Sequence, residues 1–402
     1  MANPSWWTKV SARIGSPDGC NSLTLDVLLS RSASLPLDVS LTIEDGPMSS
    51  DHPLVASLIP STARWKSLNL TIDCPASIMP LASLLQTVPL LETIVVEGAK
   101  KEKRSDIESE AELIDWPSCF SEICHFTSTN FVSPAVQFQQ APWHLLRSLS
   151  ITNEKELDLN PVLYVLNEMK LLEILCIEAD GLASYEAAPQ QDPVTFPDLT
   201  SIRLLGDPTM ITRVLDRLTV PKLTEVTFTV IPQNVRALKA TIGRSSCSVK
   251  ILRIESHEVP WRPREFYGDF FSVLRDVHTV VIDEETFDNA TSGVFKGLSI
   301  SESHNYFPLP KLRRLDVRAY PAWEGNLVDL LVSRSKPLTR NMSDDKVAAI
   351  SRLEDVRCYF RFPSNPDYHK KGLDACRANG MRITNTIMKF RKPLKADRRW
   401  IH

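Results

Sequence analysis

The chain has 402 residues, 43% of them hydrophobic and 24% charged, with a formal net charge of -3. That apolar content is ample for a core and excludes wholesale disorder. The balanced charge leaves no footprint for nucleic acid or an anionic membrane, and 13 glycines against 28 prolines argue against a nucleotide site built from Gly-rich turns.

In chain order, the opening Met1-Ala2-Asn3-Pro4-Ser5-Trp6-Trp7-Thr8-Lys9 lacks the apolar core of a signal peptide. No later stretch reaches the ~20 apolar residues of a membrane helix. A cytoplasmic or nuclear location is expected, with the eight scattered cysteines held as buried thiols. A helix is expected around Leu25–Ser32, followed by a first strand over Leu35–Ile43, which alternates with a period of two.

From there an apolar-x-x-apolar-x-apolar pattern recurs. It reads Trp65-Leu68-Leu70, Leu91-Ile94-Val96, Leu146-Leu149-Ile151, Leu172-Leu175-Ile177, Leu199-Ile202-Leu204 and Leu223-Val226-Phe228. It continues as Val249-Leu252-Ile254, Val277-Val280-Ile282, Leu312-Leu315-Val317 and Leu353-Val356-Cys358. Successive first positions lie 26 residues apart from Leu146 to Leu172 and 28 apart from Val249 to Val277. The gap between Leu91 and Leu146 has room for one degenerate unit, read as Phe120-Ile123-His125. A period of about 20–29 residues with this pattern marks leucine-rich repeats.

The end of each motif alternates as a short strand must. Between motifs lie segments with apolar residues at spacings of three and four: Pro53–Ala63, Leu81–Val88, Pro161–Lys170, Met210–Leu218, Asn234–Gly243, Phe266–Leu274 and Leu327–Ser333. Pro89, Pro197, Pro221 and Pro310 fall two residues before a motif's first apolar position, where proline ends a helix and favours an extended entry. Three core residues per strand give roughly 5–8 kcal/mol of gross transfer energy per repeat. Ordering entropy offsets most of it, so stability accumulates along the stack.

The rival is a doubly wound α/β sheet, whose central strands read as continuous apolar runs. Here alternate strand positions are polar, such as Ser148, Ser150 and Thr152, so one sheet face is expected to meet water. The expected fold is an α/β leucine-rich-repeat solenoid of about 11–12 irregular repeats, with a curved parallel sheet on the concave side and helices on the convex side. Residues 1–34 are read as an N-terminal cap and 35–362 as the solenoid. Residues 97–118 form a charged insertion in it, and 363–402 a C-terminal cap with a basic tail.

The runs Leu28-Leu29-Ser30-Arg31-Ser32-Ala33-Ser34-Leu35-Pro36-Leu37, Ser61-Thr62-Ala63-Arg64-Trp65-Lys66-Ser67-Leu68-Asn69-Leu70, Val88-Pro89-Leu90-Leu91-Glu92-Thr93-Ile94 and Leu327-Val328-Asp329-Leu330-Leu331-Val332-Ser333-Arg334 carry a resemblance. With their order and spacing, residues 4–385 resemble the fungal family of F-box proteins with leucine-rich repeats. The resemblance implies a non-catalytic substrate receptor of a cullin–RING ubiquitin ligase, whose N-terminal F-box binds a Skp-type adaptor. Asn3–Val10 resembles the stretch that follows an F-box, so the F-box itself is expected to be missing, and the adaptor is a partner only if one exists upstream. Leu35-Pro36-Leu37-Asp38-Val39 mimics an F-box opening, but its continuation keeps the period of a strand. The alternative is a stand-alone leucine-rich-repeat scaffold, or a GTPase-activating regulator, with no ubiquitin role.

No catalytic, cofactor or metal motif is present, neither a phosphate-binding Gly-rich loop nor His-Glu-x-x-His nor Gly-x-Ser-x-Gly. Cys119, Cys124 and His125 come nearest to a metal cluster but lack a fourth ligand. The expected site is the open sheet face, where a protein substrate would dock. Outward positions on adjacent strands lie about 4.8 Å apart. The candidate partner-binding residues are Arg203, Arg253, Glu178, Glu255, Asp283, Asp316 and Arg318, with Arg203 and Arg253 expected on the order of 10 Å apart.

Overall fold

The structure, a computed structural model, describes residues 3–14, 22–43, 52–72, 88–98, 123–130, 143–183, 192–256, 264–284, 290–300, 308–318, 324–335, 351–358 and 366–385. The expected helix at Leu81–Val88 up to its last residue, nearly all of the 97–118 insertion and the basic tail from Met388 lie outside these residues. The chain divides into two compact units, residues 1–223 with 243–246, and residues 224–242 with 247–402.

In the first unit, β1 (Lys9–Ile14), β2 (Leu37–Ile43), β3 (Trp65–Ile72), β4 (Thr93–Gly98), β5 (His125–Thr129), β6 (Ser148–Leu157), β7 (Ile174–Leu182) and β9 (Ser201–Gly206) pair side by side in chain order. All these pairings are parallel. A minor pair joins β8 (Val194–Thr195) to β10 (Leu218–Thr219). The helices are α1 (Ser22–Arg31), α2 (Pro53–Leu58), α3 (Leu159–Leu166) and α4 (Pro208–Arg217).

In the second unit, β11 (Glu225–Phe228), β12 (Ile251–Ser256), β13 (Thr279–Glu284), β14 (Arg314–Arg318), β15 (Asp355–Cys358) and β16 (Arg382–Asn385) repeat the arrangement. Its helices are α5 (Pro232–Ser245), whose last turn belongs to the first unit, α6 (Arg264–Ser272), α7 (Ala290–Leu298), α8 (Glu324–Ser335) and α9 (Pro366–Ala378).

Strand order that never reverses sends every crossover the same way. With one crossover hand, the helices then fall on one face of the sheet, unlike a doubly wound sheet with its switch point. Each unit is a stack of leucine-rich repeats.

The register shows why the motif has its spacing. Val39, Leu68, Ile94, Phe126, Leu149, Leu175 and Ile202 stand in one row across the first unit. Val226, Leu252, Val280, Leu315 and Val356 do so in the second. All are buried. The helices add Met210, Ile211, Val214 and Leu215 from α4, with counterparts elsewhere, so core rows run along each stack.

The proline positions have a more specific role than ending a helix. Pro89, Pro197, Pro221 and Pro310 each occupy the second position of a turn, where a fixed φ suits the geometry. The turn is closed by Leu91 N–H to Val88 (3.2 Å), Leu199 to Phe196 (3.4 Å), Leu223 to Val220 (3.1 Å) and Leu312 to Leu309 (3.1 Å). The motif's first apolar residue is thus the closing residue of a turn, and both turn ends are buried.

Three features depart from the expected pattern. β1 and β16 extend the parallel register into the segments read as caps, which raises the strand count above the expected repeats. The degenerate unit is displaced by three residues: Phe126 pairs with Ile94 and Ser128 with Val96, so the core set is Ile123-Phe126-Ser128 and His125 faces outward. A serine in the third core position hides the motif from an apolar pattern. The F-box-like Leu37-Asp38-Val39 belongs to β2, paired on both sides.

Repeats are also joined through arginines near helix ends. Arg64 donates to the carbonyls of Ala33, Leu35 (3.4 Å) and Leu29 (3.4 Å), around the end of α1. Arg244 reaches Leu215 (2.9 Å) and Leu218 (2.8 Å) at the end of α4. Arg334 reaches Leu298 (2.8 Å), Pro308 (2.5 Å) and Leu309 (3.3 Å), at the end of α7 and the turn after it. The last carbonyls of a helix have no partner within it. A guanidinium with five donors can satisfy several at once and meets the negative end of the dipole. Arg334 is fully buried, and desolvation pulls its pKa down to about 10.

Candidate binding faces

In each strand, the residues between the core positions project from the face the helices leave uncovered. In the first unit the middle outward row reads Ser40, Asn69, Val95, Thr127, Ser150, Cys176 and Arg203. The next row reads Thr42, Thr71, Glu97, Thr129, Thr152, Glu178 and Leu205. Charge enters mainly at the β7–β9 end, where Arg203 lies 3.9 Å from Glu178 with both side chains partly exposed.

The second unit carries a different face on the same register. Its middle row is Thr227, Arg253, Val281, Asp316 and Arg357. Beside it run Glu255, Asp283 and Arg318 in one direction, and Glu225, Ile251, Thr279, Arg314, Asp355 and Arg382 in the other. Arg253 Nε donates to Glu225 at 2.6 Å. Arg314 and Arg382 converge on Asp355 at 3.7 and 3.2 Å.

The candidate residues therefore separate by unit. Arg203 and Glu178 meet in the first; Arg253, Glu255, Asp283, Asp316 and Arg318 share the face of the second. Arg203 and Arg253 fall in different units, and the acid each meets lies in its own. Glu255 and Asp283 are register neighbours.

The candidate set read from the sequence did not include Glu225, Arg314, Asp355 and Arg382. They occupy the outward row at the start of the strand, two residues before Thr227, Asp316, Arg357 and Thr384, where the same period of two leads. The face is also less open than expected. Leu205, Thr227 and Val281 are buried at 0%, 3% and 7% exposure, so part of it is closely packed rather than solvated.

Asp316 is buried as well, at 9% exposure, and its Oδ1 has no hydrogen-bond partner among the described residues. On the opposite side of the neighbouring strand, burial pushes the Cys358 thiol up to about 12, and the Asp316 charge adds to the effect. Cys124, Cys176, Cys247, Cys358 and Cys376 are thiols and not disulfides. Among the described residues no three metal-ligating side chains come together, and no helix is long and apolar enough to cross a membrane.

No family model matches the chain, and no curated protein sequence matches it. Among solved structures it is similar to the leucine-rich repeat-containing protein LegL7 from Legionella pneumophila, at 12% identity and a TM-score of 0.40, over 92% of this chain and 98% of that one. The repeat assignment rests on the strand order and register described above.

Proposed function

We propose that the chain is a non-catalytic protein-binding module that captures a protein partner on its outward sheet faces, in the cytoplasm or nucleus. The observation that carries this is the second unit's face. Across β11–β16, arginines and carboxylates stand in rows at strand spacing on a rigid parallel ladder, a layout that can match a partner's charges residue by residue. Such ladders discriminate partners more than they stabilise the fold, since exposed ion pairs are worth only about 0–1 kcal/mol.

The finer reading is that the module is the substrate-recognition part of an F-box-type ubiquitin ligase receptor. Its support is the resemblance of the runs Leu28–Leu37, Ser61–Leu70, Val88–Ile94 and Leu327–Arg334, in their order and spacing, to that family. Affinity purification of the tagged chain, alongside Arg203→Glu with Arg253→Glu, tests both levels. Specific partners that are lost with the double reversal are expected. Partners unchanged by it would overturn the face as the site. Recovery of a Skp-type adaptor would establish the ligase role, and partners without any adaptor would indicate a stand-alone scaffold.

A further inference from the structure

Two acids on adjacent strands of the second unit are treated in opposite ways. Asp355 of β15, with a side chain 13% exposed, receives two arginines. Asp316 of β14 is as deeply placed, at 9% exposure, yet its Oδ1 is sealed from solvent without a hydrogen-bond partner among the described residues.

Its direction follows from the strand period. Leu315 and Val317 on either side point into the core at 0% and 2% exposure, so Asp316 lies on the outward face. The register neighbours are Val281, apolar and 7% exposed, and Arg357, which is exposed to solvent. Asp283 and Glu255 occupy the adjoining row.

A carboxylate oxygen withdrawn from water without a donor carries its full desolvation cost, and a fold under no other demand would place a neutral residue there. The geometry points to Asp316 as an anchor completed from outside. We propose that it takes the cationic side chain, lysine or arginine, of a bound protein partner, through the part of its carboxylate that the 9% exposure leaves within reach of solvent. Val281 forms an apolar wall for that side chain's stem, and Arg357 stands one strand away to meet an acid that follows it in the partner. A metal ion is the poorer occupant, because no other two ligands gather with Asp316 among the described residues.

This rests on the binding-face reading, and the test separates the two. The full chain and its Asp316→Asn variant are panned in parallel against a random twelve-residue peptide library. Selection of sequences with Lys or Arg at one position, about tenfold above library frequency, is expected with the native chain and is absent with Asp316→Asn. A basic preference that survives the substitution, or enrichment of acidic peptides, overturns the anchor and leaves the face standing; no binders at all overturns both. Stability supplies a second readout. Asp316→Val removes the unpaired charge and is expected to raise the melting temperature by about 2–4 °C. A fall would assign Asp316 a structural role and overturn the proposal.

Discussion

The two units build the same inward rows and opposite outward ones. Leu149, Leu175 and Ile202 in the first could exchange with Leu252, Val280 and Leu315 in the second without changing the character of the core. On the other face, Thr127, Ser150 and Cys176 in one unit correspond to Arg253, Val281 and Asp316 in the other. Stacking fixes the inward positions, because each must fill the gap left by its neighbour. The outward positions are held less tightly by the stack, apart from the packed Leu205, Thr227 and Val281 and the ion pairs between adjacent strands. A hydroxyl face can offer short hydrogen bonds to a surface lying close against the backbone. A charged face can steer and reject. Under the proposed binding reading, the difference would place selectivity in the second unit.

The largest test of the comparison is the arginine that joins repeats. Arg334→Met removes the guanidinium from the buried carbonyls of Leu298, Pro308 and Leu309, the last of which keeps the Leu312 N–H, so a loss of about 3 kcal/mol is expected in urea unfolding. Arg244→Met, on an exposed residue making similar bonds in the first unit, is expected to lose about 1 kcal/mol, since water replaces the donor. Equal losses would mean that burial does not distinguish the two joints. Arg334→Lys should not rescue, because a point charge cannot span carbonyls that a planar fork reaches together.

Next come two glycines with positive φ. Gly206 has φ 99°, and a Cβ there would sit 1.9 Å from the Ala179 carbonyl oxygen, whereas Gly380 has φ 87° and open space around it. Gly206→Ala is expected to be destabilising by about 2–3 kcal/mol and Gly380→Ala by about 1 kcal/mol, the first adding backbone collision to dihedral strain. Thermal unfolding of both variants separates these contributions.

Much of this architecture was legible, and the illegible parts share a cause. The row through Leu68, Ile94 and Leu149 was readable because three apolar positions at fixed spacing repeat locally along the chain. Ser128 hid its repeat because its place in the core is set by a neighbour, Val96, and not by its own side chain. Arg334 read as the end of a helix, yet its function is to satisfy carbonyls 25 to 36 residues away, a relation with no local signature. On the candidate face, Arg253 and Asp316 could be picked by period alone. That Arg253 is engaged by Glu225 while Asp316 lacks a donor at Oδ1 among the described residues depends on side-chain reach across strands, which spacing does not encode.

Two of the ion pairs on the outward faces offer a finer comparison. Arg253 and Glu225 approach to 2.6 Å, Arg203 and Glu178 only to 3.9 Å. Double-mutant cycles with Gln substitutions are expected to give a coupling of about 0.5–1 kcal/mol for the first and about 0.2 kcal/mol for the second. A larger coupling in the first unit would reverse the assignment of organised charge to the second.

The smallest effect concerns acid. Asp276 accepts hydrogen bonds from Lys311 at 2.5 Å and Ser248 at 2.8 Å, tying three successive repeats of the second unit at their turns. These bonds, that from Lys311 foremost, hold its carboxyl below the ordinary 3.8. A pKa lower in the folded state than in the unfolded one means the unfolded chain binds the proton first. The contribution is therefore fully present above that ordinary value and is lost as pH falls through the lower folded one. Comparing urea midpoints of the native chain and Asp276→Asn over this range should show a gap that closes on acidification and narrows in high salt, because the pair is largely exposed. A gap that widened towards low pH would mean the protonated form is the one the fold prefers, and the turn-to-turn tie would have to be a neutral hydrogen bond.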